Sequence, residues 1–361
     1  MRIRTDDGLE GWGEISDGWG CEYGKVAGAI VTEALSRFVV GNDPHEVEEI
    51  VARMWAWLRR RQGTTWLVAQ AISGAEIALW DVAARAEEKP VSALVGANPR
   101  ETIPIYATGL ALSQGDAAVH RDFFAPLIAR GLDGVKVRLG PNWRVELETL
   151  EHVRTLLGPQ VTIGVDGNES FSAKTALRVA ERLAALDVAF FEEPIPTSDT
   201  DALAHLVRTS KVPIAYGEHV HTARGFRQLA DAGLASIWQP DVTVCGGFIE
   251  ARATAALAAE RAIRISPHSA TTPLGVAANL HAASLVPTLW RMEWSASGVA
   301  ELGPYFRGAD FLQAPLTAGQ VRVPAGPGLG IVPDIEALLA AFPYRPPWPI
   351  EAAPALYRGT A

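Results

Sequence analysis

From Ile103 onward the chain alternates, unit after unit, between short apolar runs and amphipathic segments. The runs are IPIYATG, GVKVRLG, VTIGVDGN, AFFEEP, PIAYGEH, SIWQPDV, IRISPHS and LWRMEWS. Segments between them, such as VELETLEHVRTLLG and AKTALRVAERLAAL, repeat apolar residues at helical spacing. Such alternation builds parallel strands, since parallel neighbours need a crossover connection and a helix supplies it. Eight such units in about 200 residues fit an α/β fold of the (β/α)8 (TIM) barrel type over residues 101–300. A doubly wound open sheet is the alternative, but no G-x-G-x-x-G follows the first strand.

The first 100 residues follow another rhythm. MRIRTDDGLEGWGEI alternates, turns at Asp6-Asp7-Gly8 and alternates again, as a hairpin does. VAGAIVTEALSRFVV, PHEVEEIVARMWAWLRRR and WLVAQAISGAEIALWDVAARAEE then carry helical periodicity. Residues 1–100 are therefore expected to form an α+β unit. Beyond Ser295, LTAGQVRVPAGPGLGIVPD reads as a final strand pair and loop, and FPYRPPWPIEAAP as an extended tail.

The 361 residues suffice for a large core and more than one domain. A net charge of −9 argues against a nucleic-acid partner, and the short Arg59–Arg61 run reads as a helix end. Cys21 and Cys245 make no metal-type spacing, so a reduced, cytoplasmic setting is expected. No run is read as approaching membrane-spanning length, and MRIRTDDG is not read as a signal peptide.

In a barrel of this type the chemistry lies at the C-terminal strand ends. Those ends carry Lys136 and Arg138, Asp166 and Asn168, Glu192 and Glu193, Glu218 and His219, Asp241, His268, and Glu293. From Asp166 through Glu192, Glu218 and Asp241 to His268 the steps are 26, 26, 23 and 27 residues, one unit each. One acid at a strand end is ordinarily a cap or a surface charge. Asp166, Glu192 and Glu218 on consecutive strands, in VDGN, FEEP and GEH, make a ring of like charges that a divalent cation would relieve. All-oxygen ligation suits Mg²⁺, with Mn²⁺ as the alternative. Side chains alternate along a strand, so only one of Glu192 and Glu193 is expected to face the metal. Asp241, in QPD, is placed to accept from one ring nitrogen of His268 and raise the basicity of the other. His219 and His221 are read either as pocket-lining or as loop residues.

Together these motifs resemble the enolase superfamily, in particular its mandelate racemase-like branch. The resemblance runs from RIRTDDGLEGWGE through ALWDVAARA, KVR, VDGN, FFEEP, GEH, QPDVTVCGG, SPH, MEW and GPGLG, nearly the whole chain. It implies an essential Mg²⁺ on Asp166, Glu192 and Glu218, with His268 and Asp241 as the acid/base pair. It also implies that Glu293 hydrogen-bonds the substrate carboxylate and that Asn168 contacts substrate or supports the metal. The α+β part becomes a capping domain, completed by residues 301–361, and Ser16 to Ala27, with Trp19, match a specificity loop. The implied chemistry is abstraction of the proton α to a carboxylate, giving an enediolate stabilised by Mg²⁺. A donor at Glu293 would have to be protonated, which needs a raised pKa. A dimer or larger homo-oligomer is expected, acting on a small carboxylic acid and on neither nucleic acid nor membrane.

Two departures shape the reading. Racemases of this branch carry Lys-x-Lys on the second strand, where this chain has Lys136-Val137-Arg138. Arginine stays protonated and is a poor base, so Lys136 and Arg138 are assigned to binding or polarising the substrate carboxylate. The family's first strand and a second specificity loop are also absent before Arg2, which reads as a mis-assigned start or a truncation. GEH followed by TARGF looks like sugar-acid dehydratases of the branch. The expected reaction is thus Mg²⁺-dependent dehydration of an aldonate or aldarate to a 2-keto-3-deoxy acid, a lyase activity. The alternatives are a racemase or cycloisomerase on a related acid, and an impaired chain that keeps only metal and ligand binding.

Overall fold

Residues 1–16, 24–60 and 65–343 are described in the computed structural model. Strands β1 (Arg2–Arg4) and β2 (Glu10–Trp12) pair antiparallel, with Ile3 opposite Gly11. The hairpin lies backbone to backbone on the helix Leu67–Ala86, where a Cβ at Gly13 would stand 2.0 Å from the Gly74 carbonyl oxygen. Only a glycine admits that approach. The helix Val47–Arg59 packs alongside through Ile50, Val51, Met54, Trp55 and Leu58, spaced along one face.

Leu67–Ala86 corrects one expectation. By length and composition its 20 residues could cross a membrane. It is apolar nearly all round because protein surrounds it, and 89% of its most apolar window is buried.

All eight strand runs form: β3 (Thr102–Ala111), β4 (Gly134–Arg138), β5 (Thr162–Asp166), β6 (Val188–Glu192), β7 (Ile214–Tyr216), β8 (Ile237–Trp238), β9 (Arg264–Ile265) and β10 (Met292–Ser295). They are parallel neighbours in the order β10-β3-β4-β5-β6-β7-β8-β9. The sheet curls so that its last strand in sequence pairs with its first. Trp290 N donates to Ile265 O at 2.8 Å and Glu293 N to Pro267 O at 2.9 Å, joining the far edges. Connecting helices turn one apolar face inward, as Leu147, Leu150 and Val153 do on Trp143–Leu157. Several start on side-chain caps, among them Asp116 and Ser172. Tyr106, Phe190, Ala215 and Ile237 form a separate apolar cluster, with Trp290 packed against it. A Cβ at Gly164 would stand 2.2 Å from the Phe190 ring, so the glycine makes room for that ring.

The C-terminal strands depart from the expected pair. Gln320–Arg322 adds antiparallel to the start of β3, and Val332–Pro333 pairs with Phe306–Arg307. Val321 thereby joins an edge of the large sheet, which stabilises it more than an isolated pair would, while Val332 and Arg307 form a separate two-stranded pair.

A second core joins the two parts of the chain. Met54, Ile72 and Ala75 of the first hundred residues share it with Val242, Phe248, Leu274 and Ala277, and with Leu329 and Ile331 of the C-terminal segment. Buried polar bonds stitch the same seam. Glu76 Oε1 accepts from Ile249 N at 2.8 Å, and Ser73 Oγ accepts from Gly246 N at 2.8 Å. Asp81 accepts from Trp12 N and Leu329 N. Glu14 accepts from Thr272 N and Gly275 N, at the start of the helix Pro273–Ala283.

Candidate active site

Strand register sets the polar residues level with one another. Arg138 stands opposite Asp166, and Asp166 opposite Glu192. Lys136, two residues before Arg138 on β4, reaches up among them. Its Nζ lies 2.6 Å from Glu192 Oε1, 2.9 Å from Glu293 Oε1 and 3.5 Å from Asp166 Oδ2, and the side chain is fully buried. Burial works against the ammonium, but Glu192, Glu293 and Asp166 outweigh it and hold Lys136 well above the ordinary lysine value. Arg138 Nε lies 3.8 Å from Asp166 Oδ2.

The carboxylates differ in how they are held. Burial pushes Glu192 well up despite Lys136 beside it, and Gln239 Nε2 donates to its Oε2 at 2.6 Å. Burial also raises Asp166, again against Lys136. Burial would raise Glu218, but the charges of His268, Lys136 and His219 outweigh it and hold Glu218 below its ordinary value. Asp166, Glu192 and Glu218 thus converge at one end of the sheet, and each is buried. This donor set is entirely oxygen, which fits a hard divalent cation.

Beside them stands the imidazole. His268 Nδ1 is 2.9 Å from Asp241 Oδ2. Asp241 Oδ1 accepts from Thr243 N at 2.8 Å, Thr243 Oγ1 at 2.7 Å and Asn279 Nδ2 at 2.9 Å. With Nδ1 occupied, His268 Nε2 faces Glu218 Oε2 at 3.6 Å and Glu293 Oε2 at 3.7 Å. Burial disfavours the charged ring, but Glu218, Glu293 and Asp241 outweigh it and hold His268 up at about 10.

Burial pushes Glu293 up, but Lys136 and His268 outweigh that and hold it down at about 2. Glu193, just beyond the end of strand β6, has φ 35° and is salt-bridged rather than among the three proposed ligands. Its Oε1 lies 3.1 Å from His219 Nδ1, and the ligating atoms of Glu193, Glu218 and His219 fall within 4.8 Å of one another. Burial raises Glu193 to about 7, and the hydrogen bond with Glu193 raises His219 to about 9.

The remaining predicted residues lie further out. Asn168 is exposed with φ 39°, and its backbone N–H, not its side chain, supports Asp166 Oδ1 at 2.9 Å. His219 is 68% exposed at the rim. His221 Nε2 accepts from Trp66 N at 3.1 Å, tying the loop after β7 to the start of Leu67–Ala86. Trp19 lies outside the described residues. Gln239, Thr243 and Asn279 were not expected here. Gln239 shares its motif with Asp241. Asn279 and His281 are the two polar side chains of PLGVAANLHAA, and a buried amide in such a stretch marks a buried bond.

Residues 1–96 match the family described as Mandelate racemase / muconate lactonizing enzyme, N-terminal domain. Residues 121–338 match that described as Enolase C-terminal domain-like. The D-galactarolactone cycloisomerase of Agrobacterium fabrum is 33% identical over 346 residues, covering 94% of this chain and 89% of its own. The D-galactonate dehydratase of Ralstonia pickettii is 28% identical, covering 96% and 92%. A racemase from Streptomyces coelicolor, solved with bound magnesium, superposes with a TM-score of 0.81 at 29% identity, covering 93% and 89%. The eight-stranded curled sheet, the polar residues at its strand ends and these likenesses agree, and the chain belongs to the mandelate racemase/muconate lactonizing enzyme family of the enolase superfamily.

Proposed function

We propose that this chain is a Mg²⁺-dependent dehydratase of a sugar acid, an aldonate or aldarate. His268 Nε2 removes the proton α to the substrate carboxylate, and Asp241 holds the resulting imidazolium. The enol pair then expels the β-hydroxyl, which takes that proton back from His268 and leaves as water. The enol product tautomerises to a 2-keto-3-deoxy acid. Lys136 sits where negative charge would grow on the substrate carboxylate, and Glu293 keeps Lys136 in place. Asp166, Glu192 and Glu218 would hold the cation, with Mn²⁺ as an alternative occupant. When bound, that dication offsets the carboxylates that keep His268 charged and polarises the substrate carboxylate, which lowers the cost of removing its α-proton.

One observation carries the choice of dehydration over racemisation. Among the described residues, His268 is the imidazole held by Asp241 and facing both Glu218 and Glu293, while His219 lies 68% exposed at the rim, and the residue where racemases keep a second base is Arg138. Lys136 is paired with Glu192, Glu293 and Asp166, which assigns it to balancing charge rather than to proton abstraction. A one-base site suits elimination, in which one group takes and returns the proton. Two backbone bonds between the β9 and β10 edges support reading the sheet as a closed (β/α)8 barrel, under a cap of residues 1–100 completed by residues 301–361.

The test is a panel of aldonates, aldarates and their lactones incubated with Mg²⁺, followed for 2-keto acid and, in D2O, for α-proton exchange. Loss of water with exchange at one C2 epimer only is expected, and His268→Asn should stop both. Interconversion of C2 epimers at a comparable rate would replace this reading with a racemase. The likeness to the galactarolactone cycloisomerase favours a second reading, which the lactones address: isomerisation with no loss of water would establish it.

A further inference from the structure

We infer that Asn279 is a positioning residue for the base: its carboxamide holds Asp241 so that one carboxylate oxygen stays aimed at His268. The inference rests on the reading of His268 as the base, and deepens it.

Asn279 sits in the helix Pro273–Ala283 among Val276, Ala277, Ala278 and Leu280, all fully buried, and is itself 1% exposed. A carboxamide there is costly unless bonded. Its Oδ1 accepts from Val242 N at 3.0 Å, and its Nδ2 donates to Asp241 Oδ1 at 2.9 Å. The pair of bonds fixes the amide's orientation. A flipped amide would set an NH2 group against the Val242 N–H and an oxygen against a carboxylate. Asp241 Oδ1 is thereby held from two sides, by Thr243 and by Asn279, which leaves Oδ2 for His268. Any rotation of the Asp241 carboxylate breaks three bonds at once.

The clamp has a firm base. His268 and Asn279 belong to one segment that begins and ends on the same carboxylate. Between them the helix is started by Thr272, whose Oγ1 accepts from Leu274 N at 3.2 Å, and by Glu14 of the hairpin, which accepts from Thr272 N and Gly275 N. The helix bearing Asn279 is therefore seated on the N-terminal unit, and Asn279 carries that rigidity to Asp241.

The experiment follows His268 by NMR in ¹⁵N-histidine-labelled protein, with and without Mg²⁺, and assigns its Nδ1–H resonance from the signal lost in His268→Asn. In Asn279→Leu, near in size but without either polar bond, that proton should exchange with water roughly tenfold faster, and α-proton exchange of an accepted sugar acid should slow roughly tenfold at unchanged KM. In an Asp241→Asn background the same substitution should change neither rate by more than about twofold, since the effect runs through Asp241. An Nδ1–H signal unchanged in Asn279→Leu, or an equal loss in both backgrounds, overturns the inference. If Asn279→Leu shows no cooperative thermal unfolding, Thr243→Val must give the faster Nδ1–H exchange and Thr243→Ser must restore it, or the inference fails. Failure of the base reading is separate: it would appear as α-proton exchange surviving in His268→Asn.

Discussion

Lys136 on β4 and Glu293 on β10 meet at 2.9 Å across the end of β3, which lies between them in the sheet. The ammonium of Lys136, with the charge of His268, holds Glu293 down at about 2 against the effect of burial. The expected effect of Lys136→Met follows. Asp166, Glu192 and Glu293 would share a buried site without their cation, costing about 3–5 kcal/mol of stability. Chemical unfolding should show that loss, and added Mg²⁺ should recover part of it. A variant as stable as the parent without Mg²⁺ would mean that Lys136 does not balance these charges.

The metal assignment separates two neighbouring glutamates. Glu218→Gln should weaken Mg²⁺ binding more than about tenfold and abolish turnover, because it removes a charged oxygen from the proposed set. Glu193→Gln should keep Mg²⁺ affinity within about threefold and chiefly loosen His219, its partner at 3.1 Å. Calorimetric titration of both variants is the check. Equal affinity in Glu218→Gln and the parent would remove Glu218 from the site.

Arg138 offers a gain-of-function test. A guanidinium is a charge stabiliser and a poor base, so residue 138 is not expected to abstract a proton in the parent. Arg138→Lys should bring a slow second exchange, seen in D2O as deuterium entering the C2 epimer that the parent leaves untouched. No exchange at that epimer would place the second face out of reach of residue 138.

Glu76 predicts a pH dependence far from the site. Burial raises its folded pKa from 4.5 to about 8. Between those values the folded chain keeps a proton that the unfolded chain has released, so this contribution is full below pH 4.5 and is lost as pH rises through 8. Glu76→Gln cannot titrate. Thermal midpoints of parent and variant should therefore move apart between pH 5 and pH 8.5, with the parent losing ground. Parallel curves would show that Glu76 is ionised in the fold.

Much of this was written in the sequence because each strand ends in its own short motif at a near-constant step. That step puts Asp166, Glu192 and Glu218 on neighbouring strands before any coordinates are known, and pairs His268 with Asp241. What escaped depends on single dihedrals and on reach. The positive φ of Glu193, just past the end of its strand, is announced by no residue pattern. The contact of Glu293 with Lys136 depends on how far the Lys136 chain extends. Leu67–Ala86 resembles a membrane span because a helix surrounded by protein and one surrounded by lipid need the same side chains. Asn279 left a trace, an amide in an apolar helix, but its partner lies 38 positions earlier.

The seam between the first hundred residues and the sheet bears on how such a chain can evolve. Glu76 meets Ile249, Ser73 meets Gly246 and Glu14 meets Gly275, all within a core drawn from both sides. A gene crossover falling between them would inherit half of each bond and half of the packing from different parents. The first hundred residues and the sheet they pack on are thus bound to descend together, since a crossover that separates them would have to be repaired along the whole seam.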